Sequence, residues 1–297
     1  MATELDVQSA AERDSNKLIE QQLDERIKDL ERAADADVLT YMGPIYRPAD
    51  DEIKDAIESR RSNLLVVLET EGGHIDVAER MARIFRHHYQ RVEFLVPSFA
   101  ASAGTVLVMA GDAIHMDYAS TLGPIDPQIK KGEGAPVPAL GYLEQFRRLV
   151  EKSDKGTLTT AELAYMVRNF DPAELYRYEQ ERELSIALLK EWLVSFKFKD
   201  WTTTRTRGKT VTRKMRTDRA GTIARQLNKT DRWHSHNRGI PMEVLREDLK
   251  LLIDDFGANN NLRQVVHDYY RLLKDYAFMR RGHDLIVLHR RGSYVGF

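Results

Sequence analysis

Residues 64–75 read LLVVLETEGGHI, five consecutive apolar residues that run into a charged pair of steps, adjacent glycines and the start of a helical pattern. An apolar run of that length without alternation reads as a strand covered on both faces, the habit of parallel sheets flanked by helices. Working outward, Ile75 to His88 has helical periodicity, Phe94-Leu95-Val96 is a second strand, and Ala113 to Met116 is a third. Between the last two lies a small-residue turn and an apolar helix, Ala103 to Ala110. Upstream, Val38 to Tyr41 is a short β-prone run that leads through Gly43-Pro44 into a helix around Asp50 to Arg60. The repeated order of strand, turn and helix implies α/β architecture with parallel strands, whose post-strand turns collect on one side of the sheet. Two turns bearing glycine or serine, at Gly72-Gly73 and at Ser102, then become neighbours.

Flanking segments differ in character. Leu18, Ile19, Leu23, Ile27 and Leu30 recur at helical spacing in a charged N-terminal stretch, which reads as one amphipathic helix packed on its own domain or on a partner subunit. Residues 130–137, KKGEGAPV, form a loop, and a helical insertion spans about 138–200. The segment 197–219 is the most basic part and is β-prone around Thr202 to Val211; a helix is expected at Ala220 to Leu227 and another near Leu262 to Met279. The tail DLIVLHRRGSYVGF is β-prone. Across 297 residues, 45 Lys and Arg balance 46 Asp and Glu, which argues against a nucleic-acid or anionic-membrane partner bound by overall charge. The chain has no cysteine, which excludes disulfides, thiol nucleophiles and cysteine metal sites. No stretch reads as a membrane span or a signal peptide, so a soluble, cytoplasmic chain is expected.

Four segments carry the residue types of a catalytic site. In VLETEGGHIDV the glycines bring backbone amides toward a ligand for a developing oxyanion or a phosphate, or else form a tight turn with no ligand. In VPSFAASAGTVLVMAGD, Ser102 lies between two alanines at a helix start, where it serves as a nucleophile beside the Ala103 amide or as an ordinary N-cap. In TLGPIDPQ, Asp126 is fixed between Ile125 and Pro127, either to orient a histidine or to form a turn. In TDRWHSHNRGI, His234 and His236 share a face if the segment is extended; two histidines alone make a poor metal site.

Taken together, ETEGGHIDVAERMARIF, PSFAASAGTVLVMAGDAIHMDYASTLGPIDPQI and TDRWHSHNRGI resemble the serine dehydrogenase proteinase family, distantly related to the Clp protease proteolytic subunit and to signal peptide peptidase A. The resemblance covers about residues 38–256. It implies a Clp/crotonase-like spiral of β-β-α units with a helical insertion and added terminal helices. It places the nucleophile at Ser102 and the oxyanion amides at Gly73 and Ala103. The base position of the Clp subunit falls here at Asp126, and its aspartate position falls among Asp231 to His236. The family's order Ser, Asp, His then makes Asp126 the orienting carboxylate and His236 the base, with His234 as alternative, since a triad is defined by geometry and not by chain order. The signal peptide peptidase branch implies instead a lysine base, for which Lys152 and Lys155 stand at the corresponding distance.

The expectation is therefore a serine endopeptidase acting through an acyl-enzyme on Ser102, without metal or cofactor. It acts on peptides or unfolded proteins as a homo-oligomer. No G-x-x-x-x-G-K-[ST] motif occurs, so energy-driven unfolding would need a separate ATPase or regulatory partner. The alternatives are a catalytically silent scaffold on the same fold, a Ser-Lys dyad peptidase, and acyl-coenzyme A chemistry, which the same superfold hosts. The expected organisation is an N-terminal helix at 1–37, a protease domain at 38–257 and a C-terminal helix and tail at 258–297.

Overall fold

The run at 64–68 is buried along its whole length, and its alternate side chains serve two different cores. The computed structural model describes residues 4–126, 128–129, 137–204, 206–233, 235, 238–280 and 285–297. The chain begins with helix α1 (Glu4–Ala34), strand β1 (Asp37–Met42), helix α2 (Ala49–Ala56), strand β2 (Asn63–Glu69) and helix α3 (Ile75–His88). It continues through β3 (Arg91–Leu95), β4 (Phe99–Ala100), α4 (Ala103–Val108), β5 (Ala113–Met116) and β6 (Thr121–Leu122). A two-stranded hairpin, β7 (Gln128–Ile129) and β8 (Val137–Pro138), leads into α5 (Ala139–Asp154), α6 (Thr160–Asn169) and α7 (Pro172–Trp192). Then come α8 (Arg213–Leu227), α9 (Thr230–Trp233), β9 (Ile240–Pro241), α10 (Met242–Glu247), β10 (Asp254–Asp255), α11 (Asn260–Met279), β11 (Val287–Arg290) and β12 (Ser293–Gly296).

A seven-stranded sheet has the order β10-β5-β3-β2-β1-β11-β12. The first five strands run parallel, and the C-terminal hairpin β11-β12 adds antiparallel on β1. This is the α/β architecture with parallel strands that the apolar run implies. Leu64, Val66 and Leu68 face a core that also holds Met81 and Phe85 of α3, Leu107 of α4, Trp192 of α7, Ile223 of α8 and Leu245 of α10. Leu65 and Val67 face the other layer, where Leu23, Ile27 and Leu30 of α1 meet Tyr269, Leu273 and Tyr276 of α11. The N-terminal amphipathic helix thus packs on its own chain, and both terminal helices cover the same face of the central sheet. Burying that layer leaves polar groups to satisfy: Thr40 Oγ1 lies 2.6 Å from the Tyr269 hydroxyl, which lies 2.7 Å from His289 Nδ1. Burial holds the His289 imidazole down to a pKa of about 4, against a smaller upward pull from Asp24.

The helical insertion is observed as α5, α6 and α7, held by a small cluster of Leu143, Leu175 and Tyr178 with flanking Tyr142, Phe146 and Phe170. The basic segment departs from expectation. Its threonines favour extended backbone, yet the described residues form only a single antiparallel bridge, Thr203 with Thr210, because no neighbouring strand lies alongside to extend it. Helix α8 then begins at Arg213 instead of Ala220, with the Thr212 side chain accepting the Met215 N–H as an N-cap. Several of its cations are used internally: Lys199 pairs with buried Asp112, and Arg216 and Arg219 donate to the Trp201 and Leu249 carbonyls. Helix α4 ends at Val108, two residues before the end of its apolar run.

Candidate active site

The site is built where β2 and β4 end. The Thr70 N–H donates to the Phe99 carbonyl at 3.1 Å, and the Ala101 N–H donates to the Thr70 carbonyl at 2.9 Å, which ties the end of β2 to the chain entering Ser102. The Thr70 side-chain oxygen accepts the Gly72 N–H at 3.0 Å and fixes the glycine turn. Gly72 has φ +96°, and a Cβ there would lie 2.7 Å from the Ala101 oxygen and 2.7 Å from Ser102 Cβ. Gly73, at φ +146°, packs as closely on Ile45. The two turns are therefore neighbours, as the parallel topology implies, and both glycines are required by close approach as well as by dihedral.

Ser102 has φ 53° and ψ −120° and makes no capping hydrogen bond through its side chain. It therefore holds the N-cap position without performing the side-chain capping that the local sequence also allowed. Three other described non-glycine residues have positive φ, Asp35, Ser59 and Lys250, and all lie in exposed links. Ser102 instead stands between buried Ala100 and a fully buried helix, in a conformation that costs about 1–3 kcal/mol and persists only where surrounding structure imposes it. Such a strained strand-to-helix turn presents a hydroxyl outward from the sheet. Among the described residues no acceptor engages the N–H of Gly73 or of Ala103, whereas the Gly72 N–H is taken by Thr70.

Asp126 is fully buried at the end of a segment held against the nucleophile turn. β6 pairs with β4, the Gly123 N–H donates to the Ala100 carbonyl at 3.1 Å, and the Ile125 N–H donates to the Leu227 carbonyl at 3.2 Å. Thr105, buried within α4, joins this contact through its hydroxyl. Residues on either side of the histidine pair converge on the same segment. Trp233 is buried and donates its indole N–H to the Gln226 carbonyl at 2.9 Å, one residue from Leu227, while Ile240 pairs with Leu122 and Pro241 with Thr121. His234 and His236 themselves lie outside the described residues. The residues before them, Thr230–Trp233, form a helical turn.

Lys152 is exposed on α5, its ammonium bonded to Glu162 of α6, and Lys155 is likewise exposed. Neither has the burial through which a lysine amine becomes a neutral base. Thr70, Thr105 and Gly123 are not singled out by the sequence, although each lies within one of the segments quoted above. Among the described residues no group of three or more His, Asp or Glu is placed to hold a metal, and no helix is long and apolar enough to cross a membrane.

Residues 35–213 match the family model of ClpP-like SDH-type serine proteinases, more than half of the chain. The match includes Gly73, Ser102, Ala103, Asp126 and Lys152 and ends before the histidines. Two uncharacterized proteins of Methanocaldococcus jannaschii are similar. One is 30% identical over 135 residues, 43% of this chain and 44% of the relative. The other is 32% identical over 155 residues, 48% of this chain and 53% of the relative. The chain thus spans about half the length of these curated relatives. A solved variant of the 1510-N membrane-bound stomatin-specific protease is similar at 16% identity and a TM-score of 0.42, over 73% of this chain and 77% of that one.

Proposed function

Because the chain belongs to the ClpP-like SDH-type serine proteinase family, we propose that it is itself a serine endopeptidase that forms an acyl-enzyme on Ser102. One observation carries the reading: Ser102 is held at φ 53° between buried elements at the start of a buried helix while its side chain makes no capping hydrogen bond, so the dihedral cost is not repaid by a cap. In this mechanism His236 removes the Ser102 proton as the hydroxyl attacks the peptide carbonyl, then returns it to the leaving amine. Asp126, which is buried, orients the imidazole and stabilises its charged form. The Gly73 and Ala103 amides bind the oxyanion; that neither meets an acceptor among the described residues supports the role, and removal of one such donor typically costs about 100- to 1,000-fold in rate. Water activated by His236 then releases the acyl group.

Support for the histidine base comes from both ends of its segment. Ile240 pairs with Leu122 of the 121–126 segment that ends in Asp126, and Trp233 bonds Gln226, the neighbour of the Leu227 whose carbonyl accepts the Ile125 N–H. Exposed, ion-paired Lys152 offers no comparable case for a dyad. The substrate is a peptide or an unfolded chain, and the protein works as an assembly of identical subunits. The test is cleavage of a fluorogenic peptide library and casein. Loss of activity in Ser102→Ala and His236→Ala, with Lys152→Ala near wild type, is expected. Activity that survives Ser102→Ala refutes the mechanism, and loss in Lys152→Ala with survival of His236→Ala assigns the base to lysine.

A further inference from the structure

Thr105 is fully buried three residues after the nucleophile, in a helix otherwise made of small and apolar residues. A threonine hydroxyl in a helix ordinarily bonds the carbonyl four residues back. Here it does not. Thr105 Oγ1 lies 2.7 Å from the Ala100 carbonyl oxygen, five residues back, and 2.9 Å from the Gly123 carbonyl oxygen, and it accepts the Gly123 N–H at 2.9 Å. Ala100 opens the turn to Ser102, and Gly123 opens the loop to Asp126. The β4–β6 ladder ends at Ala100 and Leu122, so the hydroxyl continues the connection where strand pairing stops. Gly123 also sits hard against the turn, since a Cβ there would lie 2.9 Å from Ala101 Cα and 3.4 Å from the Ser102 nitrogen.

We propose that Thr105 is a positioning residue that holds the Asp126 loop in register with the nucleophile turn, and that its hydroxyl governs turnover and not substrate affinity. The proposal rests on the serine peptidase reading above. Deleting the hydroxyl loosens a side-chain link between the two segments but does not orphan the Gly123 N–H, which keeps the Ala100 carbonyl as acceptor at 3.1 Å. Thr105→Val therefore tests position with little penalty to folding.

The experiment compares wild type, Thr105→Val and Thr105→Ser by peptide hydrolysis, with kcat expressed per site that a fluorophosphonate labels at completion. In Thr105→Val, kcat is expected to fall about 100-fold with KM nearly unchanged, the scale of an ångström-level misplacement of reacting groups. Thr105→Ser, which keeps the hydroxyl, recovers most of that loss. A valine variant with wild-type kcat per labelled site, or a loss that serine does not rescue, overturns the proposal. A merely structural role would lower the number of sites labelled and leave kcat per site intact. If the valine chain does not fold, Thr105→Cys, which retains a weak donor, gives the same comparison with serine. A wild-type chain that neither cleaves nor is labelled removes this proposal together with the peptidase reading, whereas an active wild type with an unaffected valine variant removes this proposal alone.

Discussion

Placing one methyl group at Gly72 is the sharpest perturbation of the site that leaves every polar group in place. The Cβ of Gly72→Ala would lie 2.7 Å from both the Ala101 oxygen and Ser102 Cβ, where ordinary contact begins at 3.4 Å. Relief requires a displacement of about 0.7 Å, and because both contacts belong to the nucleophile turn, that turn must move. Two costs add: about 1–2 kcal/mol for an alanine at positive φ and about 1–3 kcal/mol for overpacking, so stability should fall by about 2–5 kcal/mol. Displacement of the nucleophile on this scale should slow its acylation by about 10- to 100-fold. Gly156→Ala is the matched control, since Gly156 has φ +66° but open space where a Cβ would stand. It should lose about 1–2 kcal/mol and label at the wild-type rate. Urea unfolding gives the stabilities, and the pseudo-first-order rate of fluorophosphonate labelling reports the nucleophile. Equal labelling rates for the two alanine variants would refute the claim that the glycine turn abuts the reactive serine.

Other outcomes follow from groups elsewhere in the fold. His289 titrates near 4 when folded because burial disfavours its charged form, while an unfolded histidine titrates near 6.5. The unfolded chain binds the extra proton between those values, so stability should fall as pH drops from 6.5 to 4, by about 3 kcal/mol. Urea midpoints across that range should show the slope in wild type and not in His289→Gln; an unchanged slope in the variant would assign it to other groups. Leu273→Ala empties a fully buried position between α11 and α1 and should cost about 2–5 kcal/mol by the same unfolding assay, whereas a cost near zero would mean that the terminal helices are not part of the core. Lys152→Ala removes only an exposed ion pair and should change stability by less than about 1 kcal/mol, which thermal unfolding would detect if it did more.

What could be read from the sequence was whatever depended on burial and short-range chemistry. The stretch 64–68 declared a strand covered on both faces, and Gly72, Gly73 and Ser102 declared tight turns after strands, because apolar runs and small residues mean the same thing in most contexts. Long-range pairing was hidden. The helical spacing of Leu23, Ile27 and Leu30 gives a buried stripe, but its partner α11 lies more than 200 residues further along the chain, and nothing in the period names it. Helix α8 was under-read because Arg213 to Arg219 has little apolar periodicity to show, although Thr212 carried a capping signal. Thr105 was invisible for a different reason. A threonine in an apolar helix looks alike whether it bonds its own helix or a loop that returns 18 residues later, and only the fold distinguishes them. The same holds for Ser102, whose residue type fits both a cap and a nucleophile, and whose side chain makes no capping bond in the fold.

The central claim, that Ser102 is an activated nucleophile, is tested most directly by intact-mass spectrometry of the full chain after exposure to a small fluorophosphonate, with Ser102→Ala alongside. The account predicts one adduct per chain, mapped to Ser102 and absent from the alanine variant. No adduct on the wild-type chain, or an adduct that persists in Ser102→Ala, would contradict it.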